Sequence, residues 1–251
     1  MTYKCIGVAT AMLAAALLPA AASADATMGT LVYNFTYSVA QNVTARDAAN
    51  NVEGVTPLGT LSGGSNGMSH YGGSLTDRGT MTVNVVKRQP DGGLVVMISE
   101  QGENIHRTPP AECVVYGNTN VICDPNKTVY TEEYTLLRFL AGNFVDPAQL
   151  DSNKHWQIVQ DVNNDHMTAN YVIDSNNNGN MQIAEVRTIK QTGGGRLETD
   201  VNTKIGYDFN RTVPLSIDEY AQQYSDAGIK GSQRTIYQTT LSLVSDSVAK
   251  Q

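Results

Sequence analysis

From Arg196 to Phe209 the chain alternates with almost no break. Leu197, Thr199, Val201, Thr203, Ile205, Tyr207 and Phe209 fall on one parity, and Glu198, Asp200, Asn202, Lys204 and Asp208 on the other. Successive side chains of an extended chain point to opposite sides, so this run forms a strand with one buried and one wet face. A helix would scatter the same residues around its circumference and bury none of its sides.

Comparable runs recur along the chain. Leu31, Tyr33, Phe35, Tyr37 and Val39 alternate near the start, and Met81, Val83 and Val85 are followed by Leu94, Val96 and Ile98 across a Pro90-Asp91-Gly92-Gly93 turn. His155 to Asp161, His166 to Asp174 and Asn180 to Lys190 read as further strands, and Thr235 to Val244 as the last. The segments Val162-Asn163-Asn164-Asp165, Ser175-Asn176-Asn177-Asn178-Gly179 and Gln191-Thr192-Gly193-Gly194-Gly195 separate them with turn chemistry. Between Ala40 and Arg78 lies a long stretch rich in Gly, Ser, Asn and Thr, expected to be a flexible flap.

Two segments carry helical signals. Thr131 can cap the first, with Glu132 and Glu133 at its positive end, Leu136, Leu137, Phe139 and Leu140 on one face, and Gly142 to terminate it. In the second, Ser216 and Glu219 have capping-box spacing, Ile217, Tyr220, Ala221 and Tyr224 form a stripe, and Gly228 follows. With no alternation of strand and helix, the expected fold is mainly β. It is a single large antiparallel, meander-type curved sheet or half-barrel of about ten strands with two inserted amphipathic helices. At the level of element order, a curved antiparallel sheet with helices on its concave side resembles the periplasmic lipid-carrier folds of the lipoprotein-carrier group. That resemblance implies an apolar ligand held inside the sheet.

Residues 1–24 read as a cleavable signal peptide, which leaves residues 25–251 as one β-rich domain. Lys4 carries the only side-chain charge before Asp25, the run from Cys5 to Ala22 is uncharged and Ala-rich, and Ala22-Ser23-Ala24 presents small residues to a signal peptidase. Pro19 interrupts the apolar run, which argues against a membrane anchor. No further apolar stretch of spanning length follows, so no transmembrane segment is expected in the mature chain. The expected location is outside the cytoplasm, periplasmic or secreted.

The cysteines fit that compartment. Cys5 lies in the signal, and Cys113 and Cys123 remain as a pair. Folding the intervening residues about Asn118 sets Val115 opposite Val121, Val114 opposite Ile122, and Cys113 opposite Cys123, so a hairpin alone brings the sulfurs together. The formal net charge is −7. An acidic chain with scattered Lys and Arg excludes nucleic acid as an expected partner, because phosphate binding requires clustered cations.

One motif suggests a metal. Asp174-Ser175-Asn176-Asn177-Asn178-Gly179-Asn180, continuing to Glu185, satisfies the calcium-loop pattern D-x-[DN]-x-[DN]-G-x5-E. Asp174, Asn176, Asn178, the Asn180 carbonyl and Glu185 would supply the oxygens that calcium requires. The flanks read as strands rather than the helices of an EF-hand, and an Asn-Asn-Gly hairpin tip accounts for the same residues. No other cofactor is implied.

Other matches are weaker. Gly63-Gly64-Ser65-Asn66-Gly67 fits the G-x-S-x-G elbow but lacks the strand before it and the helix after it. His70, His106, His155 and His166 form no tight pair with each other or with Cys, so zinc has no sequence support. No coherent catalytic set emerges, and no catalytic residues are assigned. The leading expectation is a non-enzymatic exported protein that binds a lipid, another apolar ligand or a partner in the concave face of its sheet. The alternatives are an extracellular structural or adhesion module with weak calcium binding, and a hydrolase whose catalytic residues are dispersed.

Overall fold

The computed structural model describes residues 29–46, 60–61, 68–104, 107–117, 119–140, 144, 154–162, 165–191, 196–226 and 231–247. The strands are β1 (Gly29–Arg46), β2 (Thr60–Leu61), β3 (Met68–Arg88), β4 (Leu94–Gly102), β5 (Arg107–Val115) and β6 (Val121–Cys123). After helix α1 (Thr131–Arg138) come β7 (His155–Val162), β8 (Asp165–Asn177), β9 (Asn180–Gln191), β10 (Arg196–Asp208), β11 (Val213–Asp226) and β12 (Gly231–Asp246). They form one open antiparallel sheet in the order β6-β5-β4-β3-β1-β12-β11-β10-β9-β8-β7, with β2 paired to β3.

The mainly β reading holds, with one helix among the described residues where two were expected. The segment from Ser216 to Gly228 is not helical: its first eleven residues belong to β11, and 227–230 lie outside the described residues. The capping-box spacing of Ser216 and Glu219 competes there with a period of two, in which Ile217, Glu219 and Ala221 turn inward and are buried. Pairing with β10 on one side and β12 on the other supplies two ladders of hydrogen bonds, and that tertiary gain overrides the local helical signal. At α1 the N-cap is Tyr130 rather than Thr131, and the Glu133 carboxylate accepts the Tyr130 backbone N–H at 2.8 Å. Gly142 lies outside the described residues. The segment read as a flap is strand at both ends, since β1 runs to Arg46 and β3 begins at Met68.

The sheet must curl, and α1 shows why. Glu133 accepts a hydrogen bond from Thr108 on β5, while Arg138 donates to Glu185 on β9. Those strands are seven steps apart in the sheet order. A flat sheet would separate them by roughly 33 Å, whereas five residues of helix advance only about 7.5 Å. Both contacts exist only because the sheet wraps around the helix.

Inside the wrap, register stacks the inward side chains into rows. Ile173, Ile183, Ile205, Ile217, Leu241 and Phe35 stand in one row across β8, β9, β10, β11, β12 and β1. All are buried, and α1 caps them with Leu136 and Leu137. Phe144 meets Tyr207 and Phe139 edge-on, and Trp156 stacks on Tyr171 at 5.0 Å. The Trp156 indole N–H donates to the Phe144 carbonyl at 2.6 Å, which satisfies its buried polar end.

At the far end of the sheet Cys113 and Cys123 form a disulfide. They are direct cross-strand partners, with Val114 opposite Ile122 and Val115 opposite Val121, the pairing the hairpin spacing predicts.

Candidate functional site

The row next to that apolar layer is polar. Reading across β8 to β3, it comprises Tyr171, Glu185, Thr203, Glu219, Thr239, Tyr37 and Asp77, all facing inward and buried. Two of its carboxylates meet a helix cation. Arg138 donates to Glu185 Oε1 at 3.1 Å and to Glu219 Oε2 at 2.7 Å. Thr203 donates to Glu185 Oε2 at 2.6 Å, Tyr171 to Glu185 Oε1 at 2.9 Å, and Thr135 to Glu219 Oε1 at 2.9 Å. Arg187, one row further along β9, completes the group with Nε 3.7 Å from Glu185 and a terminal nitrogen 3.5 Å from Glu219.

These contacts set the charges. Burial by itself would raise the Glu185 pKa, but Arg138, Arg187 and the hydroxyls of Thr203 and Tyr171 hold it down at about 2. Burial also opposes the charge on Arg138, yet Glu185 and Glu219 outweigh it and keep its pKa above the ordinary value. For Arg187 burial and the neighbouring Arg138 win, and its pKa falls below the ordinary value. A carboxylate with a pKa near 2 is a poor general base, so the Thr203 hydroxyl beside Glu185 is not activated as a nucleophile. The quartet ties α1 to β9 and β11 through ion pairs and hydrogen bonds.

The start of α1 carries a second polar group. Glu100 on β4 lies near Glu132, Glu133 and Asp77, and Thr108 bridges it to Glu133 by accepting the Glu100 N–H at 2.8 Å and donating to Glu133 at 2.8 Å. Burial, then the charges of Glu132 and Glu133, push the Glu100 pKa up to about 10, so this acid is protonated at neutral pH.

Beyond the quartet the concave face changes character. Val39, Leu75, Tyr237, Ile189 and Met167 point inward like the core residues, but each keeps part of its surface exposed. Val201 and Ala221 lie buried between them. Among the described residues the row beyond the quartet is apolar apart from Arg187 and becomes part-exposed toward β1 and β3, and the row after it is mixed, with Met167 and Ile189 beside Thr199, Gln223 and Thr235.

Of the calcium-motif residues, Asp174, Asn176, Asn178 and Asn180 share one hairpin end while Glu185 is set apart from them. Asp174 and Asn176 end β8, Asn178 and Gly179 make the turn with positive φ of 53° and 90°, and Asn180 opens β9. Asn176 accepts the Gly179 N–H at 3.0 Å, and Asn210 donates to the Asn178 carbonyl at 3.1 Å, so the tip is a hairpin tied to its neighbour. Glu185 lies five residues into β9 on the opposite face from Asp174, engaged by the arginines. Among the described residues no group of three or more His, Cys, Asp or Glu could hold a metal ion. The Gly63–Gly67 match lies outside the described residues.

A dispersed-hydrolase reading has one structural echo. His166 Nδ1 lies 2.7 Å from Asp161, and its Nε2 lies 3.4 Å from the Thr168 hydroxyl. The chain of contacts sits on the outward face with the His166 and Asp161 side chains 47% and 78% exposed. So open a placement leaves the His–Asp pair to water, and the order Thr–His–Asp alone makes no active site.

The quartet escaped the sequence reading because its members are spread over β9, β11 and α1. The signal was Glu185 and Arg187 set between Ile183 and Ile189, and Glu219 between Ile217 and Ala221, on one parity of each strand.

No protein-family model matches the chain, and no curated protein matches its sequence. Among solved structures the chain is similar to one described as showing lipid–protein interactions in lipovitellin, at 11% identity with a TM-score of 0.43. That similarity covers 88% of this chain but 26% of the lipovitellin chain, so the present chain spans only a minor part of it.

Proposed function

We propose that the protein binds an apolar or amphiphilic ligand against the part-exposed apolar residues Val39, Leu75 and Tyr237 of its concave sheet face. The observation that carries this is the contrast along single strands. On β1 the inward residues Leu31, Tyr33 and Phe35 are sealed under the helix side, while Val39 on the same face stays partly exposed. Inward apolar side chains that stay part-exposed gain nothing from water, and a ligand chain laid along them would remove that surface from it at about 25 cal/mol per Å². The Cys113–Cys123 disulfide supports a working location outside the cytoplasm, where such bonds persist.

The test uses the chain's single Trp, Trp156, as a fluorescence donor. Saturable energy transfer to a conjugated polyene fatty acid is the expected result. Val39→Asp places an unpaired carboxylate among these side chains and is expected to weaken that binding by about tenfold or more. If the probe shows no saturable transfer, or if Val39→Asp folds and binds as tightly as the native chain, the reading is wrong.

A further inference from the structure

The two ends of the sheet are finished differently. At one end β5 pairs with β6 only at Cys113, Val114 and Val115, and the rest of the strand carries Pro109 and Pro110. Proline offers no N–H, so that edge is blunted against further pairing. At the other end β7 carries no Pro, Gly or Lys, and all eight of its residues pair with β8 without a bulge. Among the described residues no strand lies beyond it.

The ladder to β8 fixes which backbone groups of β7 face that open side. The Ile173 N–H donates to the Lys154 carbonyl at 2.8 Å, and the register sets these two residues opposite one another. Hydrogen-bonded pairs alternate along an antiparallel ladder, so Trp156, Ile158 and Gln160 also turn their backbone groups toward β8. The N–H and C=O groups of His155, Gln157, Val159 and Asp161 therefore point away from the sheet. Their side chains are exposed as well, Val159 at 52%. A straight edge of β-branched and aromatic residues with a single carboxylate is a template for another strand.

The strand is its own complement. About a two-fold axis through Ile158, an antiparallel second copy sets odd-numbered residues opposite odd-numbered ones, so the two sheet faces match. Gln157 then stands opposite Val159 of the second copy, and His155 opposite Asp161, each twice over. All four exchange their outward backbone bonds across the junction. Asp161 Oδ1 lies 2.7 Å from His166 Nδ1, which leaves Oδ2 for the imidazole of His155 from the second copy. On the inward side Trp156 meets Gln160, and Ile158 meets its own copy. An axis through Gln157 or Val159 instead would lose both His–Asp pairs.

We infer that two copies of this chain join edge to edge through antiparallel β7 strands, so that their sheets continue as one. This is independent of the ligand-binding reading above.

Sedimentation equilibrium of the full chain over about 1–100 µM is expected to show a monomer in exchange with a dimer and no larger species. Val159→Pro removes an outward N–H from each copy and no bond to β8, and should raise the dimer Kd about tenfold or more at unchanged far-ultraviolet signal. Cysteines test the register without touching the backbone. Opposed residues in hydrogen-bonded pairs have Cα atoms about 5.5 Å apart, within disulfide reach, so Gln157→Cys mixed with Val159→Cys should form a covalent dimer under mild oxidation. Either variant alone places its two thiols out of step and should cross-link far more slowly. A chain that stays monomeric at every concentration would overturn the inference and leave the edge to an extended segment of another protein. It would also be overturned by a dimer whose Kd is unchanged in folded Val159→Pro, or by a mixture that cross-links no faster than the separate variants. The cross-linking comparison uses exposed positions, so it decides the matter even if Val159→Pro does not fold.

Discussion

Arg138 closes on Glu219 at 2.7 Å from a position 81 residues away in the sequence, joining the end of α1 to the inward face of β11. The same guanidinium reaches Glu185 on β9 at 3.1 Å, so one side chain ties the helix to two strands at once. The helix is short, eight residues, and could not persist alone in water. Its position depends on this clasp and on Leu136, Leu137 and Phe139 beneath it.

Removing the clasp is expected to be expensive. Arg138→Leu leaves two buried carboxylates facing one distant arginine, and the loss should be about 3–5 kcal/mol in urea unfolding. Replacing Arg138, Glu185 and Glu219 together with apolar residues of similar volume should cost much less. A triple variant as unstable as Arg138→Leu would show that the charges themselves, rather than their imbalance, hold the helix.

Acid should weaken the native state through Glu185. Its folded pKa of about 2 lies below the ordinary 4.5, so the unfolded chain binds the proton first. The stability it contributes is complete above the ordinary value and is lost as pH falls through 2. Unfolding free energies measured from pH 6 to pH 2 should fall in the native chain and fall less steeply in Glu185→Gln.

Alkali should act through Glu100 with the opposite sign. Its folded pKa of about 10 lies above the ordinary 4.5, so the folded chain holds a proton that the unfolded chain has given up. Its contribution is greatest below the ordinary value and is lost as pH rises through 10. Glu100→Gln keeps the uncharged shape and is expected to flatten the decline in stability between pH 6 and pH 10. A decline of unchanged slope would assign it to another group.

The disulfide closes a short loop, with ten positions separating its cysteines. Loop closure predicts that Cys113→Ala with Cys123→Ala lowers stability by roughly 3 kcal/mol. Because β5 and β6 form one edge of the sheet and contribute no residue to the wall proposed to bind ligand, probe affinity should be unchanged in the folded fraction.

Gly79 tests the packing of the sheet itself. A Cβ there would sit 2.0 Å from the Gln101 carbonyl oxygen and 2.8 Å from the Gly102 backbone, its partner on β4. Backbone cannot yield as a flexible side chain can, so Gly79→Ala should lose about 1–3 kcal/mol, measured as a lowered Tm at unchanged far-ultraviolet signal.

The sequence by itself determined the parts that depend on neighbours a few residues apart. The alternation from Leu197 to Tyr207 fixed which side of β10 is buried, the Asn178-Gly179 tip fixed a hairpin, and the spacing of Cys113 and Cys123 fixed their pairing. Only the tertiary structure decided the rest. Ser216 to Asp226 carries a helix start signal and a period of two together, and the ladders to β10 and β12 chose the strand. Glu185 fits a calcium loop when read along the chain, but its inward parity hands it to Arg138 and Arg187. Which inward rows lie under α1 follows from where the helix lands, and that is set by contacts between residues 25 to 84 positions apart, which no local pattern encodes.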